Sequence, residues 1–268
     1  MIKVNESIVS AGKYPNGETI FRRAFTRYHS QYHSDYIVID LQYENDKDIF
    51  ELMMIKKHLD SVTSKKIILN MFYVPYSRMD REIEGYMFSL KHFCQIINDM
   101  NFHMIRVLDV HSNVTSALLN KCKEIDINNI VNETIKKTNA DYVFYPDQGA
   151  CKRYSEILNH NKPVFYGNKA RDLQTGEITH YELINAPKLK GKNVLIIDDL
   201  CSKGFTFYNA GLNLQEAGAN NINLYVSHCE NSIHKGKIFE SGLFEGVYTT
   251  NSILTNWDNP LLNKVEIL

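Results

Sequence analysis

Short apolar runs of strand length punctuate the chain, and they constrain its fold more than any other feature. They are Tyr36-Ile-Val-Ile39, Ile67-Ile-Leu69, Ile105-Arg-Val-Leu108, Tyr142-Val-Phe-Tyr145, Val164-Phe-Tyr166, Val194-Leu-Ile-Ile197 and Ile222-Asn-Leu-Tyr-Val226. They are rich in Val, Ile and aromatic residues, and several are apolar throughout, as suits strands covered on both faces. Helical patterns lie between them. Ile49, Leu52, Met53 and Leu59 share a side of 48–61, and Met87, Leu90, Cys94 and Ile97 form a stripe in 84–100. In 206–217 the stripe is Phe207, Ala210, Leu214 and Ala217, with Gly218 placed to end the helix. Strands alternating with helices imply an α/β architecture with parallel sheets. A chain of 268 residues is long enough for two domains. A division near residue 140 is expected to give domains of 1–140 and 141–268. The polar segment 168–182, with its Thr-Gly turn, is expected to be a mobile loop or hairpin flap.

Composition removes several classes of function. A formal net charge of -1 gives no general attraction to nucleic acid, so no such partner is expected. No segment approaches the roughly 20 apolar residues of a membrane-spanning helix, so no membrane partner is expected either. The opening MIKVNESIVS lacks the apolar stretch of a signal peptide. The five cysteines, Cys94, Cys122, Cys151, Cys201 and Cys229, show no CxxC spacing. An odd, dispersed set reads as reduced thiols, and a cytoplasmic protein is the expectation.

The richest local signal is 193–206, NVLIIDDLCSKGFT. A buried strand ends in two carboxylates, Asp198 and Asp199. A short loop with Gly204 follows, and a helix begins near Thr206. Amides at a helix N-terminus attract a phosphate dianion, and successive turn amides can form an anion nest. Ser202 and Thr206 add hydroxyl donors, and Lys203 can add a positive charge. The two carboxylates repel phosphate, but they can accept hydrogen bonds from the vicinal hydroxyls of a ribose or hold Mg. The bland reading is an ordinary strand–turn–helix with an aspartate cap.

Apolar residues, Asp-Asp and a short loop ending in Gly-x-Thr resemble the phosphoribosyl pyrophosphate signature. It is shared by phosphoribosyltransferases and ribose-phosphate pyrophosphokinases. Four further segments resemble the pyrophosphokinases. Tyr14-Pro-Asn-Gly-Glu18 is similar to a Phe-x-Asp-Gly-Glu stretch that meets the ATP base from a neighbouring subunit, which implies roles for Asn16 and Glu18 and a homo-oligomer. Pro75-Tyr-Ser-Arg-Met-Asp-Arg81 is similar to an ATP-binding Tyr-Ala-Arg-Gln-Asp-Arg stretch, implying Arg78, Met79, Asp80 and Arg81. Leu108-Asp-Val-His-Ser112 is similar to an Asp-Leu-His-Ser stretch whose His, here His111, approaches the metal–ATP complex. Tyr145-Pro-Asp-Gln-Gly-Ala-Cys-Lys-Arg153 is similar to a Pro-Asp-x-Gly stretch whose Mg-binding Asp is here Asp147. Lys169 and Arg171 are spaced as the family's catalytic Lys-x-Arg pair, and Tyr248-Thr-Thr-Asn-Ser252 resembles its late strand.

The resemblance implies two similar phosphoribosyltransferase-like domains, each a mostly parallel sheet flanked by helices. It also implies Mg-dependent transfer of the β,γ-diphosphate of ATP to the anomeric hydroxyl of ribose 5-phosphate. Such a transfer needs positioning and cations around the phosphates, not a protein nucleophile. Planar arginine forks suit phosphate oxygens, and Asp147 with His111 suits a hard cation. Alone, Arg78 and Arg81 read as a solvated face, His111 as a hydrogen-bonded loop residue, and Lys169 and Arg171 as a basic turn. His111, Asp147, Lys169 and Asp198 all follow expected strand ends, where open α/β sheets bind ligands. The chain departs from the family at Asn16, Met79 and Phe205, and a first strand–helix unit ahead of Tyr14 is expected to be missing or reduced. Phe205, with Cys201 and Lys203, admits a larger acceptor ending in ribose 5-phosphate, such as ADP-ribose. A phosphoribosyltransferase that consumes phosphoribosyl pyrophosphate is a second alternative, and a silent binding subunit a third.

Overall fold

The computed structural model describes residues 1–9, 11–21, 35–171 and 178–267. It divides into two compact units, Met1–Ile125 and Asp126–Leu268. The division falls ahead of the expected point near residue 140. Residues beyond Ile125 belong with the second unit because side chains tie them there. Asn128 Nδ2 donates to the Ile157 carbonyl at 2.8 Å, and Asn132 Nδ2 donates to that of Asn159 at 3.0 Å.

The first unit runs β1 (Ile2–Val4), β2 (Ser7–Ile8), β3 (Ala11–Lys13), β4 (Thr19–Phe21), β5 (Tyr36–Leu41), α1 (Lys47–Val62), β6 (Lys66–Asn70), α2 (Ser89–Asp99), β7 (Met104–Leu108), α3 (Asn113–Leu118) and β8 (Cys122–Ile125). Its main sheet has the order β2-β1-β5-β6-β7-β8. β5 to β8 are parallel, and β1 pairs antiparallel with both β2 and β5. β3 and β4 form a separate antiparallel pair around the 14–18 turn. Ile37, Ile39, Leu69, Ile105 and Val107 from the strands meet Leu52, Ile55 and Leu59 of α1 and Leu90, Phe93, Cys94 and Ile97 of α2 in one core. Met87, expected on the α2 stripe, is exposed because that helix starts only at Ser89.

The second unit runs α4 (Asn128–Lys137), β9 (Tyr142–Tyr145), α5 (Gln148–Ile157), β10 (Val164–Arg171), β11 (Ile178–Ile184), β12 (Val194–Cys201), α6 (Phe205–Glu216), β13 (Ile222–Cys229), a 3-10 turn (Asn231–Lys235), β14 (Gly246–Thr250) and β15 (Leu262–Val265). The sheet order is β11-β10-β9-β12-β13-β14-β15. All neighbours are parallel except β10 and β11, which form an antiparallel hairpin over part of the expected flap. β13 is buried along its whole length, as an inner strand covered on both faces must be. Phe144, Val194, Ile196, Leu224 and Val226 pack with Phe207, Ala210 and Leu214 of α6 in the second core. Both units are therefore mostly parallel α/β sheets. All five cysteines are free thiols. Among the described residues, no helix is long and apolar enough to cross a membrane.

Candidate active site

Strand order locates the crevice of the second unit. From β9 the chain moves to β10 on one side, then returns to place β12 on the other. That reversal is a topological switch point, and open α/β sheets bind ligands just outside the C-terminal strand ends there. Asp147 follows β9, and Asp198 and Asp199 lie near the end of β12. Ile196 is the register partner of Phe144, so both strands deliver their carboxylates at the same edge. Burial pushes the Asp198 carboxyl well above the usual carboxylate range, and the charges of Asp199 and Asp147 add to the rise. The Asp199 amide, donating to Asp198 Oδ1 at 3.0 Å, pulls in the opposite direction. Asp147 is also the N-cap of α5, where its Oδ1 accepts from the Ala150 amide at 2.9 Å.

β12 is longer than its apolar run. Its ladder with β13 continues through Leu200↔His228 and Cys201↔Cys229. Ser202, Lys203 and Gly204 make the connection, and α6 starts at Phe205. Gly204 is in the left-handed region with φ of 76°, and a Cβ there would lie 2.1 Å from Ile238 Cδ1. Only glycine meets both demands. The first turn of any helix leaves amides without intrahelical partners, so the start of α6 presents donors at the loop. Lys203 and Phe205 are exposed, and Thr206 is half-buried. Ser202, expected among the acceptor's donors, gives its hydroxyl hydrogen to Glu230 Oε2 at 2.8 Å.

The β10–β11 hairpin carries the expected catalytic pair. Lys169 pairs with Tyr181 and Arg171 with Ile178, with an irregularity between Ala170 and Arg171. The side chains of Lys169 and Arg171 and the segment 172–177 lie outside the described residues. The hairpin's root is tied to the crevice, because the Tyr181 hydroxyl donates to the Pro146 carbonyl at 2.9 Å. Burial pushes the Tyr181 phenol up, and the charges of Asp147 and Asp198 push it further.

In the first unit, Arg78 and Arg81 follow β6 while His111 follows β7, the adjacent parallel strand. All three side chains are exposed. Each loop contains a non-glycine residue at positive φ, Tyr76 at 63° and Asp109 at 43°. Such strain persists only where surrounding contacts enforce it. For Tyr76 the contacts are clear. Its hydroxyl donates to Asp46 Oδ1, which also accepts from Tyr43 at 2.7 Å, and its ring lies 5.4 Å from that of Phe93. These two phenols, Tyr76 first, hold the Asp46 carboxyl below its usual range. A turn closed by the Met79 amide on the Tyr76 carbonyl at 2.9 Å then presents Arg78. Met79 and Asp80 are half-buried. Asn16 and Glu18 lie in the exposed turn between β3 and β4, where Asn16 Oδ1 accepts from the Glu18 amide at 3.2 Å.

The structure thus gathers Asp147, Asp198, Asp199 and the 202–206 loop at one edge, and Arg78, Arg81 and His111 at the ends of neighbouring strands. Sequence reading missed Asp46, Tyr181, Glu230 and Ser232, which act through hydrogen bonds to residues distant in sequence, and Tyr43, which bonds to its near neighbour Asp46. The only sequence signal is polarity beside an apolar run, and for Glu230 and Ser232 it falls directly after β13.

An acidic strand end, a glycine-bearing loop at a helix start and two mostly parallel sheets define a phosphoribosyltransferase-like α/β fold. Comparison with known proteins narrows the class. The chain is 30% identical over 234 residues to the ribose-phosphate pyrophosphokinase of Sulfolobus acidocaldarius, covering 82% of this chain and 77% of that one. It is 29% identical over 249 residues to the same-named protein of Sulfurisphaera tokodaii, covering 90% and 82%. Its fold matches the phosphoribosylpyrophosphate synthetase of Mycobacterium smegmatis with a TM-score of 0.75 at 18% identity, over 97% of this chain and 86% of that one. No protein-family model matches. The chain belongs to the ribose-phosphate pyrophosphokinase family.

Proposed function

We propose that this chain acts in the cytoplasm, moving the β,γ-diphosphate of ATP onto the anomeric hydroxyl of ribose 5-phosphate and releasing AMP and phosphoribosyl pyrophosphate. The observation that carries the reading is the meeting of Asp147, Asp198 and Asp199 with the 202–206 loop at the switch point of the second sheet. The ribose hydroxyls donate to Asp198 and Asp199. The 5-phosphate rests on the amides at the start of α6, helped by Thr206 and Lys203. Arg78 and Arg81 bind ATP phosphate oxygens through planar forks, and Asn16, Glu18, Met79 and Asp80 serve the base side. Lys169 and Arg171, brought in on the hairpin, place positive charge around the transferring group and help exclude water.

Mg fits this donor set. Burial, and after it the negative charges of Asp199 and Asp147, raise Asp198, and a cation would relieve the part due to charge. Among the described residues, no three His, Cys, Asp or Glu side chains form a metal cage. Mg typically takes only one or two carboxylates and completes its shell with water and substrate phosphates. Asp147 in the second unit and His111 in the first are each candidate ligands, and when bound Mg supplies charge that neutralises the phosphates. The exposed 14–18 turn serves a neighbouring copy in a homo-oligomer.

AMP release from Mg-ATP with ribose 5-phosphate tests the proposal, and no AMP with any ribose-5-phosphate acceptor would overturn it. A second reading rests on Phe205, which is 49% exposed beside the phosphate loop and is joined there by exposed Lys203. An aromatic face and a cation at that edge suit a larger acceptor such as ADP-ribose. Faster AMP release with ADP-ribose than with ribose 5-phosphate would select it.

A further inference from the structure

The phosphate loop is held from behind by a segment to which the reaction scheme assigns nothing. β13 ends at Cys229, and the Glu230 amide donates to the Cys201 carbonyl at 2.8 Å, carrying the β12–β13 ladder past the strand end. Glu230 Oε2 then accepts from Ser202 Oγ at 2.8 Å and from Ser232 Oγ at 2.8 Å, while the two hydroxyl oxygens lie 3.1 Å apart. A serine hydroxyl has one hydrogen, so a Ser202 that donates to Glu230 does not donate to a phosphate. Further along, Gly236 passes so close to the loop that a Cβ would stand 1.8 Å from the Lys203 carbonyl oxygen. Ile238, wholly buried, lies against Gly204. Ser202, Lys203 and Gly204 therefore each rest on a different residue of 230–238.

Resting on the acceptor reading above, the geometry points to Glu230 as a positioning residue for the acceptor phosphate. Its carboxylate clamps Ser202 and so holds the loop backbone in the shape that receives an anion. Ser202 is the point of attachment, not a ligand. Hydrogen bonds to an ionised acceptor are the stronger kind, and a loop held in its bound shape loses less freedom when the ligand arrives.

Equilibrium binding of inorganic phosphate and of ribose 5-phosphate to the full chain, without ATP, reads the loop separately from the reaction. Glu230→Ala is expected to weaken both by about tenfold, the size of one lost charge-assisted hydrogen bond. Glu230→Gln keeps an acceptor oxygen and is expected to recover most of the loss. Ser202→Ala should weaken binding no more than Glu230→Ala, which also breaks the Ser232 bond, and the double variant should bind no worse than Glu230→Ala, because the Ser202–Glu230 link is already lost there. In AMP release the defect should fall on the KM for ribose 5-phosphate and leave that for ATP unchanged. Undiminished anion binding by Glu230→Ala overturns the proposal, as do single losses that multiply in the double variant. A wild-type chain that binds neither anion also overturns it. A wild-type chain that binds both anions, shows these variant effects and yet releases no AMP would leave the clamp standing and sink the pyrophosphokinase reading alone.

Discussion

Gly204 is the residue at which sequence and site chemistry are most tightly bound. Its positive φ and its contact with buried Ile238 leave no room for a side chain. Gly204→Ala is expected to cost about 2 kcal/mol or more in urea unfolding, from left-handed strain and overpacking together. It should also weaken ribose 5-phosphate binding. Lys169→Ala is expected to slow AMP release by orders of magnitude while equilibrium ATP binding persists, and unchanged AMP release would remove Lys169 from the catalytic set. The thiols offer a test independent of activity. Burial pushes Cys94 up to about 12 and Cys122 up to about 11. At about pH 8 almost no thiolate forms at either position, and the thiolate is the reactive species. Iodoacetamide followed by peptide mass spectrometry should find both spared in the native chain and modified once it is denatured. Single residues of this kind were legible where a motif names them, as Asp198, Asp199 and Gly204 are named. Glu230 was not legible, because its part in the loop is a contact made 28 positions after Ser202.

Elements were legible in proportion to their apolar content. Every apolar run read as a strand is one, from β5 at Tyr36–Leu41 to β13 at Ile222–Cys229. The short strands β1 to β4 escaped notice because they carry too few apolar residues to show a period. α5 escaped as well, since it buries only Tyr154. Its start at Asp147 shows a residue expected to bind metal also serving as a helix cap. β12 outran its apolar run because pairing with β13, not composition, sets where it ends. The Tyr76 turn depends on a contact of the same distant kind. Tyr76→Phe removes the hydroxyl that reaches Asp46 and keeps the ring against Phe93. It is expected to raise the KM for ATP several-fold, with the KM for ribose 5-phosphate unchanged. The same cluster gives a pH signature. Asp46 has a folded pKa below its unfolded one, so its contribution to stability is present above the ordinary carboxylate range and is lost as pH falls through the folded value. Urea unfolding across acid pH should therefore show a shallower loss for Asp46→Asn than for the wild type.

At the scale of the whole molecule there are two units, each with its own core. Chain length allowed two domains and the alternation of strands and helices implied α/β sheets, but no composition shift marked a border. The border followed the side-chain bonds of Asn128 and Asn132 instead. Separate cores make separate unfolding the expected behaviour. The single tryptophan, Trp257, packs against the second core, so its fluorescence reports that unit, whereas far-ultraviolet circular dichroism reports both. The two midpoints in urea are expected to differ, and coincident curves would show that the units unfold as one. The packing of 230–238 behind the 202–204 loop carries a consequence for protein engineering. Transplanting 198–206 into another α/β scaffold would move the motif without Glu230, Gly236 or Ile238, and the graft should arrive slack. A working transplant has to carry both segments. Natural variation ought to obey the same rule, with a change at Ser202 tolerated only alongside a matching change at Glu230.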